Sequence, residues 1–237
     1  MGRPAIPKSM KKEVRKKCFN GCVICGGPII EYEHIVPWSQ VKEHTLVNIT
    51  LLCPNHHSQV TKGLIPKEVV ISKTKIPFNS NKETSSNHLL YYSGDKFRIL
   101  LGTNLFEEKK VVNGIRNIIG INNNTMMSVE FQDNHLLFNI CFFEEDKLFF
   151  EINNNELKFN VKNYDVEFIQ NRLTVRNNRN KIVLLVHFEV PNTLRIEKLE
   201  TKFQGEQISV QDGCLIINGL AMSESKISCN GGYAISI

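Results

Sequence analysis

Hydrophobic and polar positions change rhythm along the chain. From Ser9 to about Phe19, SMKKEVRKKCF repeats Met10, Val14 and Cys18 at helical spacing, which predicts a short helix. Ser9 is placed to cap it, with Glu13 near its first turn. NGCVICGG then holds two cysteines between turns, and IIEYEHIVPW alternates as a strand does until Pro37 stops it. After a loop containing His44, LVNITLLCPNHHSQVTKG reads as a second strand. A helix follows, starting after Pro54 and ending near Gly63. Between Lys67 and Ser93 the chain turns polar, and NSNKETSSN reads as a linker.

Beyond that point short apolar runs alternate with Asn-rich turns: FRILL, MSVEF, HLLFNICFF, KLFFEI, ELKFNV, YDVEFI, RLTV, KIVLLVHF, LRIEKL, QISV, CLIING, KISC and YAISI. Period-two runs broken about every eight to twelve residues by turn signals predict a mainly-β domain, as a sandwich, a roll or a β-helix-like stack. The expected organisation is therefore α+β. A small domain over residues 1–75, a linker over 76–92 and a β-rich domain over 93–237 are expected, the last serving recognition, sensing or oligomerisation.

Composition narrows the class. The 237 residues are 41% hydrophobic and 22% charged, as in a soluble globular protein. The longest apolar run, Lys181 to Val190, is strand-like and carries charge, so no membrane span is expected. MGRPAIPKSMKKEVRKK lacks the apolar centre of a secretory signal, and Ile6 stands where a myristoylation site needs Ser or Thr. The expected location is the cytoplasm.

Charge is uneven. Residues 1–75 hold 12 Lys/Arg against 5 Asp/Glu, a net of +7, while the remaining 162 hold 17 against 19, a net of −2. A basic first third points to a polyanionic partner. Lys11, Lys12, Arg15, Lys16 and Lys17 form a basic helix face suited to a nucleic-acid backbone. Gly2-Arg3-Pro4 offers an arginine to a minor groove.

Seven cysteines, an odd number, do not suggest a disulfide framework. Cys141, Cys214 and Cys229 sit among apolar residues and read as small buried hydrophobes. Cys22 and Cys25 instead form C-x-x-C between Gly21 and Gly26, and Cys53-Pro-Asn-His56 repeats ligand-x-x-ligand. Three sulfurs and one imidazole make a closed tetrahedral set typical of structural zinc. Cys18 offers a further sulfur, although its helical phase groups it with Met10 and Val14.

Four pieces now occur in order: C-x-x-C at 22–25, E-H-I-x-P at 33–37, H-x-x-x-N at 44–48 and L-C-x-x-H-H at 52–57. Over residues 10–65 this set resembles the HNH endonuclease family and its ββα-metal fold. The resemblance implies that His34 is the general base and that Asn48 holds the strand–loop geometry. It also implies that His57 binds a catalytic Mg²⁺ or Mn²⁺ together with Glu33. The chemistry agrees, because phosphodiester hydrolysis needs an in-line water, a base titrating near neutrality and a cation on the phosphate. Glu33 and His34, as strand neighbours, point to opposite faces unless the chain turns there.

The sequence departs from the family's usual pattern in three places. Glu33 replaces the more frequent Asp. His56 stands where a fourth cysteine is usual, so His56 and His57 could exchange roles, with the C-x-x-H spacing favouring His56 on zinc. A lysine often found just after the last motif residue is displaced to Lys62, a candidate phosphate contact.

The expected function is a metal-dependent endonuclease acting on DNA, most of all double-stranded, in restriction or phage defence. A homo-oligomer is an open option. Two alternatives stand beside it: a non-catalytic zinc-stabilised nucleic-acid-binding protein, which has no use for Glu33, His34 and His57 together, and an HNH nuclease acting on structured RNA.

Overall fold

The computed structural model describes residues 3–109, 112–229 and 232–237. The chain forms two compact units. The first comprises residues 3–87 and 160–168, and the second 88–159 and 169–237. Gly2 lies outside the described residues.

In the first unit, α1 (Lys8–Lys17) turns Val14 into the core, as its apolar spacing requires. Its N-cap is Pro7, with no side-chain cap, so Ser9 lies inside the helix. Proline's fixed φ suits a helix entrance, and the first turn starts earlier for that reason. β1 (Glu31–His34) follows, then the short α2 (Trp38–Val41), β2 (Ile49–Leu52), α3 (Pro54–Thr61) and α4 (Lys67–Lys75). β1 and β2 pair antiparallel, with Glu33 opposite Thr50 and His34 opposite Ile49. Every residue of β2 is buried. Val14, Cys18, Cys22, Val23, Ile49, Leu51 and Leu52 form the core of this small unit.

The second unit contains β3 (His88–Leu89), β4 (Lys96–Leu101), β5 (Asn104–Lys109), β6 (Gly114–Ile121), β7 (Asn124–Gln132), β8 (His135–Glu144), β9 (Lys147–Asn153) and β10 (Glu156–Phe159). After β11 (Asp165–Ile169), all but the last residue of which belongs to the first unit, come β12 (Arg172–Arg176), β13 (Ile182–Glu189), β14 (Thr193–Phe203), β15 (Glu206–Gln211), β16 (Cys214–Ile217), β17 (Leu220–Met222), β18 (Lys226–Ser228) and β19 (Tyr233–Ser236). One sheet runs β19-β6-β7-β8-β9-β10-β3, and a second carries the meander from β12 to β17, with β4 joined parallel to β14. Hairpin neighbours pair antiparallel, which excludes the β-helix-like option, whose stacked rungs run parallel. Among the described residues the sheets do not close into a barrel.

The Asn-rich punctuation has a direct physical role. Asn122-Asn123, Asp133-Asn134 and Asn154-Asn155 each place two consecutive residues at positive φ, the geometry of a tight two-residue hairpin turn. Seven phenylalanines, Phe97, Phe106, Phe138, Phe142, Phe149, Phe150 and Phe159, are fully buried in this unit. Cys229 is buried as expected, whereas Cys141 and Cys214 are only partly so.

The return of residues 160–168 to the first unit is held by polar groups. Arg15 donates through Nε and Nη2 to both carboxylate oxygens of Asp165 (2.7 and 2.9 Å). It also donates through Nη1 to Glu167 (2.9 Å) and to the Tyr32 hydroxyl (2.8 Å). Asn20 accepts from the Val166 amide (3.0 Å) and donates to the Tyr164 carbonyl (2.7 Å). Arg15 is only 3% exposed, which removes it from the basic face expected of this helix. Burial opposes its charge, yet the hydrogen bond to Asp165 and the nearby acidic groups raise its pKa above the ordinary arginine value.

Breaking a buried pair leaves a charge without compensation and costs roughly 3–5 kcal/mol. Asp165→Ala is therefore expected to destabilise the first unit by about that amount. Urea unfolding followed by the fluorescence of Trp38, the chain's single tryptophan, measures this. An unchanged midpoint would mean that the network contributes nothing net.

The stretch NSNKETSSN makes specific contacts within the first unit. Asn79 is 1% exposed and donates to the carbonyls of Phe19 and Gly26 (both 3.2 Å), while the Phe78 amide reaches the Val23 carbonyl (3.0 Å). Among the described residues, no helix is long and apolar enough to cross a membrane.

Candidate active site

The loop between α1 and β1 and the start of α3 bring Cys22, Cys25, Cys53 and His56 together. Their ligand atoms lie within 4.8 Å of one another. The Gly26 amide bonds back to the Cys22 carbonyl (2.7 Å), and Gly26 takes φ +75°, a turn that a side chain would strain. Cys53 is the N-cap of α3, and its sulfur accepts from the His56 amide (3.5 Å). His56 Nδ1 lies 3.2 Å from Cys53 Sγ and 3.4 Å from Cys22 Sγ, so His56, rather than His57, faces the sulfurs. A hydrogen bond from Cys25 holds the Cys22 thiol well below its ordinary pKa, which favours a thiolate. Three sulfurs and one imidazole at this spacing fit a tetrahedral zinc. Cys18 is buried in the core and bonds to Thr50 Oγ1 (3.7 Å), and burial raises its pKa.

His57, one residue on, points elsewhere. Its Nε2 lies 2.8 Å from Glu33 and its Nδ1 2.8 Å from Glu31. Glu31 and Glu33 are two apart on β1 and share a face by strand alternation. Glu31 is an addition to the expected site residues, and its i−2 relation to Glu33 is the sequence signal that points to it. Hard divalent cations prefer oxygen donors with an occasional imidazole, so this carboxylate–imidazole group fits Mg²⁺ or Mn²⁺ in donor type.

β1 keeps its register with β2 through His34, and Glu33 and His34 meet different partners there, His57 for the one and Arg3 and His44 for the other. His34 is 5% exposed. Its Nδ1 lies 2.6 Å from Arg3 Nη2 and its Nε2 3.1 Å from His44 Nδ1, while His44 Nε2 lies 2.9 Å from the Pro4 carbonyl. Trp38 packs against both rings, with centroids 5.7 Å from His34 and 4.6 Å from His44. Burial first, then the charge of Arg3 and the proximity of His44, lower the His34 pKa below the ordinary histidine value.

Asn48 sits just before β2. Its Oδ1 accepts from the Val36 amide (2.7 Å), its Nδ2 donates to the Val36 carbonyl (3.0 Å), and its own carbonyl accepts from the Ile35 amide (2.9 Å). These three bonds clamp the chain where it leaves β1.

The basic residues divide. Lys16 and Lys62 are exposed, the latter at the C-cap of α3. Lys11 lies over the Tyr32 ring (5.3 Å), and Lys17 donates to the Leu46 carbonyl (2.8 Å). Lys12 is partly exposed on the same helix. Arg15 faces inward, as described.

Residues 22–63 match the family model of the HNH endonuclease domain. Neither the curated proteins nor the solved structures contain a significant match to the chain. The match spans both halves of the sulfur–imidazole cluster, both strands of the small sheet and α3. Over residues 22–63 the chain thus matches the HNH endonuclease family, and a large β-rich region follows.

Proposed function

We propose that the chain is a metal-dependent endonuclease that hydrolyses phosphodiester bonds of DNA. The observation that carries this reading is the pairing on β1 of the Glu33–His57 contact (2.8 Å) with a buried His34 on the next residue. A purely zinc-stabilised binding module has no use for that pairing.

In this reading His34 takes a proton from the attacking water, and Asn48 holds the strand exit that aims it. Glu33 and His57, with Glu31 against the other ring nitrogen, would hold the divalent cation. When bound, that ion supplies charge stabilisation at the phosphate and the leaving oxygen. Lys11, Lys12, Lys16, Lys17 and Lys62 contact the nucleic-acid backbone. A restriction or phage-defence setting suits a small nuclease domain with a separate β-rich unit for recognition or sensing.

Replacing Glu33 or His57 with alanine is expected to raise the Mn²⁺ concentration needed for half-maximal cleavage at least tenfold, since even outer-shell partners of metal ligands are worth roughly 10–100-fold. Products should carry 5′-phosphate and 3′-hydroxyl ends. Parallel reactions with plasmid DNA and structured RNA decide the substrate. An unchanged metal requirement in both variants would remove Glu33 and His57 from the ion site.

The basic face has its own test. Removing one lysine from a phosphate flattens the slope of log affinity against log salt by roughly 0.9. Alanine at Lys11, Lys12 and Lys16 together should therefore flatten it by about 2–3. An unaltered slope would make this face merely solvated.

A further inference from the structure

The chain of contacts through His34 has fixed ends. Arginine only donates hydrogen bonds, and a proline carbonyl only accepts them. At the far end, His44 Nε2 must therefore carry hydrogen to bond the Pro4 carbonyl (2.9 Å), which leaves His44 Nδ1 as an acceptor. His34 Nε2 then donates to His44 Nδ1 (3.1 Å), and His34 Nδ1 accepts from Arg3 (2.6 Å). All three bonds are satisfied with both rings neutral, and this is the one arrangement that satisfies them. Nδ1 is then the sole ring nitrogen of His34 with a lone pair to offer a water, and Arg3 occupies it.

We propose that Arg3 is a phosphate-binding residue of this same site, and that without substrate it closes the lone pair of His34 that substrate must open. Its purpose rests on the endonuclease reading, whereas the contact between Arg3 and His34 stands without it. A phosphodiester offers the guanidinium charge-assisted, two-pronged hydrogen bonds, which outcompete a single neutral ring nitrogen. Arg3 is exposed and its guanidinium already lies 5.7 Å from the Trp38 ring centroid, a second surface on which a cation can rest. Moving to a phosphate uncovers Nδ1 beside the phosphorus that water must attack. His44 remains on Nε2 and becomes a positioning residue. Its ring, held by Trp38 and the Pro4 carbonyl, keeps His34 in one tautomer, as the third group orients the base in other general-base systems. Base availability is in this way tied to the presence of a phosphodiester.

The test reads the lone pair without cleavage. Diethyl pyrocarbonate acylates a neutral imidazole at its unprotonated nitrogen, and mass spectrometry assigns the modified residue. In magnesium-free buffer, Arg3→Ala should acylate at His34 about 10- to 100-fold faster than wild type, the weight of one charge-assisted hydrogen bond. Dimethyl phosphate should accelerate acylation of His34 in the wild type and leave Arg3→Ala unchanged. Long-range ¹H–¹⁵N spectra should show hydrogen on Nε2 of both His34 and His44. Equal acylation rates in wild type and Arg3→Ala, or no response of the wild type to dimethyl phosphate, would overturn the proposal. Failure of the endonuclease reading would look different: no cleavage of DNA or RNA by the wild type, with the labelling pattern intact.

Discussion

Removing the zinc, or replacing Cys25 with serine, is expected to unfold the first unit while the β-rich unit keeps its strand signal. The unit's apolar core is small, seven fully buried residues around one two-stranded sheet. Cys22 and Cys25 belong to the loop before β1, whereas Cys53 and His56 start α3, so the ion would tie that loop to the helix across the small core. Structural zinc sites supply roughly 10–16 kcal/mol of apparent binding energy, comparable with or above the roughly 5–15 kcal/mol that holds a whole domain folded. Trp38 reports on this unit, and far-UV circular dichroism is dominated by the strands of the other. Metal analysis should find one zinc per chain. A purified protein without zinc, or a Cys25→Ser variant with an unshifted Trp38 transition, would refute this.

The second large effect is on rate. General-base assistance is worth roughly 10²–10⁴-fold, and His34→Ala should lose that much cleavage while keeping zinc and DNA affinity. The pH profile carries the signature. Only neutral His34 accepts a proton, and burial, Arg3 and His44 lower its pKa, which extends the neutral form to more acidic solution. In the wild type kcat/KM should therefore hold steady as pH falls through about 6.5, the ordinary histidine value, and decline only below it. The residual rate of His34→Ala should lack that acidic limb. An acidic limb that persists unchanged in His34→Ala would assign it to another group.

Much of the candidate site is legible in the sequence because ligand spacing is local. C-x-x-C and C-x-x-H each bring two donors to one turn, and E-H-I-x-P at 33–37 marks where the strand carrying Glu33 and His34 ends. Glu31 is harder to read because its partner, His57, lies on another element. Arg15 groups with its lysine neighbours in the sequence because Asp165 and Glu167, 150 and 152 residues away, leave no local trace. The same distance hides the return of residues 160–168 to the first unit. α4 is inconspicuous because KEVVISKTK lacks an apolar stripe and buries only Val70. Its acidic first turn and basic last turn are the available signal. In the β-rich region, alternation and paired Asn turns locate most strands. Sheet order is not readable, since parallel joins such as β4 to β14 and β19 to β6 depend on contacts far apart in the chain.

Incubating supercoiled plasmid with equal concentrations of wild-type protein and His34→Ala, in Mn²⁺ or Mg²⁺ and again with chelator, tests the central claim most directly. The wild type should nick or linearise the plasmid only with the divalent ion, and His34→Ala should leave it supercoiled over the same time course. Cleavage at equal rates by the two proteins, or none by the zinc-loaded wild type on DNA or RNA, would contradict it.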